Sequence, residues 1–164
     1  MLLMALFAPW AANAQETLTV HEGTATNSNV PVHGLWADAY LKCEMVYPAT
    51  ELSDMEGGTI SKLTFYASSP ASAAWSGTFQ VFMSEVSETT ISAFAGPGTV
   101  VYEGTLNGTQ SSMDIEFTTP YTYGGGNLLV GVYQTVKGNY SGITWTGETV
   151  NGASGQGYSS SSLN

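Results

Sequence analysis

MDIEFTTPYTYGGGNLLVGVY, residues 113–133, decides the fold class. Its first positions alternate strictly: Met113, Ile115 and Phe117 are apolar, while Asp114, Glu116 and Thr118 are polar. A period of two turns one set toward a core and the other toward water, the pattern of a half-buried strand. Pro120 and the run Gly124, Gly125, Gly126 then supply turn chemistry. The run that follows, residues 128–133, is apolar on both faces. A wet-faced strand joined by a turn to a buried strand predicts layered β structure.

The same punctuation recurs along the chain. Residues 17–21 read as a first strand, with Leu18 and Val20 on one face, and residues 23–36 as a long polar loop. Residues 40–47 form the next strand, closed by Pro48. Residues 49–54 suit a single helical turn, broken by Gly57 and Gly58. Strands are expected over 60–67 with Leu63 and Phe65 inward, over 78–86 with Phe79, Val81 and Met83 on one face, and over 99–106. Others are expected over 113–118, 128–135 and 143–146, with a short turn of helix near residues 91–94. No segment beyond the first residues holds a 3.6-residue period over helix length. The prediction is an all-β chain, a two-sheet antiparallel sandwich of jelly-roll type with about eight strands.

The domain plan follows from composition. Residues 2–12 are almost wholly apolar, and Ala12-Asn13-Ala14 gives a small-x-small cleavage pattern. Residues 1–14 therefore read as a signal peptide cleaved after Ala14, which predicts a secreted or cell-surface protein. That run is too short to span a bilayer, and no later run is apolar enough to insert. Residues 15–150 form the β-sandwich domain, and residues 151–164, rich in Gly and Ser, read as a linker or a truncated tail toward downstream domains.

Charge narrows the partners. The chain carries three Lys, no Arg and 13 acidic residues, for a net charge of −10. Nucleic-acid binding needs clustered cations on phosphates, and this chain has none to cluster. Anionic membranes and other anionic ligands are disfavoured for the same reason. Neutral glycans, peptides and cations such as calcium stay open. Cys43 is the single cysteine, so no internal disulfide framework exists. A lone thiol on a strand reads as a small buried hydrophobe.

Three segments carry a resemblance: GTATNSNVPVHGLWADAY (23–40) followed by Tyr47-Pro48-Ala49, GGTISKLTFY (57–66), and FTTPYTYGGGNLLVGVY (117–133). In this order the chain resembles a β-sandwich module found near the N-terminus of large secreted and surface proteins of gut and oral anaerobic bacteria. That module is related in style to cleaved-adhesin-type jelly rolls. The resemblance implies an adhesive or accessory unit with no catalytic motif, followed by further domains of the same polypeptide. It implies host or microbial glycans or surface proteins as partners.

The candidate site residues fall into three groups. Trp36, Tyr40, Trp75 and Tyr140 border polar or small-residue loops, where aromatic faces beside Asn and Asp would stack a neutral sugar. The competing reading is that each ring plugs an open end of the sandwich. Asp54 and Glu56, with Glu51 close by, lie in a turn before Gly57 and Gly58. A structural calcium held by that turn is one expectation and a solvated acidic turn the other. Asp114 and Glu116 share one strand face roughly 7 Å apart. They would serve a glycosidase as a carboxylate pair, or simply be the wet face of the strand, the reading that the alternation favours. The leading expectation is a non-catalytic interaction module. A carbohydrate-binding accessory module of a secreted hydrolase is the alternative, and the glycosidase comes last.

Overall fold

The computed structural model of the protein describes residues 16–20 and 22–163. The leader expected over residues 1–14 lies outside them. Nine strands are found among the described residues: β1 (Ala25–Asn27), β2 (Tyr40–Tyr47), β3 (Thr59–Ser69), β4 (Thr78–Val86), β5 (Thr99–Gly104), β6 (Ser112–Thr122), β7 (Asn127–Val136), β8 (Thr144–Gly147) and β9 (Ser154–Ser159). They make a four-stranded sheet, β1-β8-β3-β6, and a five-stranded sheet, β5-β4-β7-β2-β9. Every pairing is antiparallel. The chain is the all-β sandwich its alternation predicts.

The pairing order has a simple logic. β4 pairs β5, β3 pairs β6, β2 pairs β7 and β1 pairs β8. One long hairpin has been folded over on itself, which is the jelly-roll connection. β9 is additional and extends the five-stranded sheet beyond β2.

Residues 113–133 span both layers. β6 is an edge of the four-stranded sheet, and β7 is the centre of the five-stranded one, so the glycine turn carries the chain between sheets. Met113 and Ile115 are buried, while Asp114 and Glu116 are exposed. β6 runs past Pro120 to Thr122, where the sequence reading expects a turn. Pro120 has no N–H to donate, and the β3–β6 register slips between Ile60 and Lys62 opposite this stretch. An irregular edge strand accommodates the missing donor.

β7 is buried on both faces for two reasons. Val130 and Val132 face the main core, together with Val81 and Met83 of β4, Cys43 of β2, and Trp75 and Trp145. Leu129 and Tyr133 face the other way and cluster with Val46 and Phe82. This second cluster lies on the outer face of the sheet. Residues 87–98 cross it as a strap, with Ile91 against the cluster and Phe94 edge-on to Tyr133 at 6.4 Å. The strap holds no helical turn near residues 91–94.

A buried carboxylate fastens the strap. Glu44 is fully buried and accepts hydrogen bonds from Ala95 N (3.0 Å), Gly96 N (3.2 Å) and the Tyr133 hydroxyl (2.5 Å). The register sets Glu44 between Gly131 of β7 and Gly155 of β9. At Gly131 a Cβ would fall 2.0 Å from the Phe82 ring, and at Gly155 one would fall 3.0 Å from Ile91. These glycines make the room that Phe82 and the strap occupy.

Three local expectations are corrected. No strand forms over residues 17–20; Leu18 and Val20 pack on the core without pairing, and β1 forms instead within the expected loop, against β8. Residues 154–159 are not linker but β9, because backbone pairing with β2 needs no bulky side chain. The helical turn expected over residues 49–54 is two short 3-10 turns, Ala49–Glu51 and Ser53–Met55.

Cys43 sits in the core, 1% exposed. Burial pushes its thiol from 9.0 up to about 12. A raised folded-state value means the contribution is intact below about pH 9 and is lost as pH climbs toward 12. Each unit in that window costs about 1.4 kcal/mol. Between pH 9 and pH 11 the wild type is therefore expected to lose roughly 2–3 kcal/mol more stability than Cys43→Ala. Urea midpoints measured across that range check it, and parallel curves would refute it.

Candidate functional site at the edge of the ninth strand

The segment between β1 and β2 builds the first wall. A single 3-10 turn, Gly34–Trp36, places Trp36 flat on His33, with ring centroids 3.9 Å apart and planes 9° apart. Trp36 also meets Tyr158 of β9, with centroids 4.0 Å apart and planes tilted by 36°. The stacked His33–Trp36 pair thus abuts Tyr158, which is 57% exposed. Burial lowers the His33 pKa, so the imidazole at the base of the stack is neutral at pH 7.

β9 is gripped from both faces. Tyr158 lies opposite Leu41, on the core side, and Gly157 lies opposite Lys42, on the outer side. A Cβ at Gly157 would sit 3.2 Å from the Phe94 ring of the strap. Beside this strand runs a shallow groove of about 240 Å³, lined by Tyr40, Lys42, Phe94, Gly157, Tyr158 and Leu163. Lys42 Nζ lies 5.3 Å from the Tyr133 ring centroid and 5.9 Å from that of Phe94. Lys137 Nζ lies 5.4 Å from the Tyr40 ring and donates to the Ser160 carbonyl at 2.8 Å.

Residues 138–142 form the adjoining loop. Gly138 N donates to Ala37 O and Ser141 N to Gly34 O, which ties this loop to the Trp36 turn. Tyr140 on it is 65% exposed. Trp36 and Tyr140 therefore stand on hydrogen-bonded segments, while Tyr40, two residues from Lys42 on β2, lies on the outer face of the sheet with it. Trp75 is different. It is 1% exposed, and its indole N–H donates to Ser141 O at 3.0 Å. As placed, it cannot touch a ligand; it plugs the sandwich end and props the Tyr140 loop.

Comparisons with family models, curated proteins and solved structures find no significant match. The chemistry of the site rests on its own geometry.

The acidic candidates lie elsewhere. Asp54 and Glu56 are both exposed on the turn around Ser53–Met55. Among the described residues no group of three or more His, Cys, Asp or Glu side chains gathers to hold a metal. Calcium takes six to eight oxygens, and two exposed carboxylates on one turn do not supply that set. Close by, the glycine turn already has an internal anion. Glu85 accepts from Gly124 N and Gly126 N, at 2.7 Å each.

Asp114 and Glu116 also keep apart from the corner. Lys62 on the neighbouring strand reaches both, at 3.4 and 3.6 Å. Asp114 accepts further from the Thr64 hydroxyl at 2.8 Å, and that bond and Lys62 hold its carboxyl below the usual range. A glycosidase acid must instead hold its proton near neutral pH. The two carboxylates behave as the wet face of an edge strand.

Sequence reasoning missed Tyr158, Phe94, Lys42, Lys137 and Leu163, whose roles depend on the pairing of β9 and on contacts across the fold.

Proposed function

We propose that the chain is a non-catalytic interaction module of a larger secreted or cell-surface protein. It binds through the corner made by Trp36, Tyr158 and the Tyr140 loop, with neutral sugars of host or microbial glycans as the ligand class. One observation carries the reading: Trp36, stacked on His33, abuts the Tyr158 ring at 4.0 Å, and that ring remains 57% exposed. A rigid amphipathic ring loses little entropy on binding and offers an apolar face with a polar tip. Sugars have a matching make-up, a C–H face edged with hydroxyls. The net charge of −10 weighs against anionic ligands. The clamp of Lys62 on Asp114 and Glu116 weighs against acid–base work. The resemblance to adhesin-like modules points the same way.

The test is a screen of neutral oligosaccharides by array, followed by calorimetry on the best binder. Tyr158→Ala is expected to weaken binding at least about tenfold, a hot-spot effect, with the melting temperature nearly unchanged. Lys62→Ala serves as the remote control and is expected to bind normally. An array without signal, or a Tyr158→Ala variant that binds like the wild type, would sink the sugar reading.

A further inference from the structure

The two sheets leave four edge strands: β1, β6, β5 and β9. Exposed edges invite pairing, and proteins blunt them with short length, charge, proline or bulges. Three of these edges carry such devices. β1 is only three residues long. β6 carries Asp114, Glu116 and Pro120. β5 carries Glu103, its register to β4 slips between Val81 and Phe82, and its Val101 carbonyl accepts from Thr118 of β6. β9 carries none of them. Its six residues, SGQGYS, have no charge and no proline, and they pair with β2 in unbroken register.

No strand among the described residues pairs with the far side of β9. Charge then says what fits there. Lys42 lines the groove beside β9, and Lys137 reaches Ser160 just beyond the strand's end. These are two of the three lysines on a chain of net charge −10, and neither is in an ion pair among the described residues. The third, Lys62 of β3, is occupied by Asp114 and Glu116 of β6. The β9 edge therefore offers two lysines to an incoming carboxylate.

We propose that the free edge of β9 is a strand-addition site for an extended, carboxylate-bearing segment of a partner protein. The incoming backbone continues the five-stranded sheet, and its main-chain hydrogen bonds supply the affinity. Alternate side chains meet the groove formed by Tyr40, Phe94 and Leu163, and a carboxylate reaches Lys137. This inference rests on the backbone edge and its lysines rather than on the exposed Tyr158 ring, although both involve β9; the Lys137→Glu arm tells them apart, since it leaves the Tyr158 ring in place.

The experiment is a titration of the ¹⁵N-labelled chain with a capped peptide of β9's length that alternates Val and Glu. Saturable amide shifts centred on residues 155–159 are expected. A peptide N-methylated at alternate residues is expected to lose binding, because it cannot donate along the edge. A Val/Lys peptide is expected not to bind. Lys137→Glu is expected to weaken binding roughly threefold to tenfold with an unchanged melting curve. No shifts at the edge, or equal binding by the methylated peptide, would overturn the proposal. So would sedimentation of the free chain as a dimer that Ser154→Lys, at an exposed position of β9, dissociates, since the edge would then be filled by a second copy.

Discussion

Replacing Glu44 by Ala is expected to lower the unfolding free energy by roughly 3–5 kcal/mol, because it strands buried hydrogen-bond donors. The carboxylate accepts from Ala95 N, Gly96 N and the Tyr133 hydroxyl, and it has no exposure to water. Deletion leaves all three donors without their acceptor in a site shaped around it. Burial and the adjoining carboxylate already raise the Tyr133 pKa above its ordinary value, which marks how little water reaches this point. The loss has a local signature as well as a global one. Amide exchange should accelerate first at residues 95 and 96, and then along β9, whose glycines lie under Ile91 and Phe94. Glu44→Gln should cost less, since one acceptor survives while the amide NH₂ faces a donor. A Glu44→Ala variant within about 1 kcal/mol of wild type, the worth of a single ordinary hydrogen bond, would show that the strap is held by its apolar contacts alone.

Trp145→Ala should be comparably damaging, by roughly 3–5 kcal/mol. Trp145 is 2% exposed, and its indole N–H donates to Val32 O at 2.9 Å. Its ring lies 6.3 Å from Phe65 and 6.4 Å from Trp75. It joins β8 to the core beside the two shortest strands of the four-stranded sheet, β8 with four residues and β1 with three. Trp145→Phe separates the two contributions. It keeps most of the packing and loses the donor, so its cost should be near 1–2 kcal/mol. Chemical denaturation of the three proteins checks this ranking. Equal losses for the Ala and Phe variants would assign the whole effect to the hydrogen bond. Against a typical total of about 5–15 kcal/mol, the Ala variant should be visibly less stable.

The strands that were legible in the sequence are those whose side chains do the packing. Residues 40–47 and 78–86 match β2 and β4 end to end, because Leu41, Cys43, Phe79 and Val81 must face the core. β9 was not legible. Gly155 and Gly157 act there by leaving space for Ile91 and Phe94, and periodicity cannot register a side chain that is absent. β1 was hidden for a related reason: Ala25, Thr26 and Asn27 have no strand pattern and are extended only because β8 lies beside them.

The site was half legible for the same physical reasons. Trp36, Tyr40 and Tyr140 could be picked out as aromatics bordering polar loops; Trp36 and Tyr140 stand on hydrogen-bonded segments, and Tyr40 lies across the sheet from them. Trp75 has the same local look yet is core, because its indole finds Ser141 O across 66 positions of sequence. Glu44 gave no sign of being a latch, since its donors on the strap lie 51 and 52 residues away. Tyr158 depends on a partner ring on a distant turn. Such contacts are products of topology, and local pattern does not carry them.

Sugar binding at the Trp36–Tyr158 corner, as proposed, is tested by titrating the ¹⁵N-labelled chain with the best neutral oligosaccharide from the array and following the indole and backbone resonances. The Trp36 indole N–H and the amides of Tyr158 and Tyr140 are expected to shift together and saturate at one ligand concentration, while those of Asp114, Glu116 and Asp54 stay still. Shifts that centre on Asp114 and Glu116, and leave Trp36 unmoved, would contradict it.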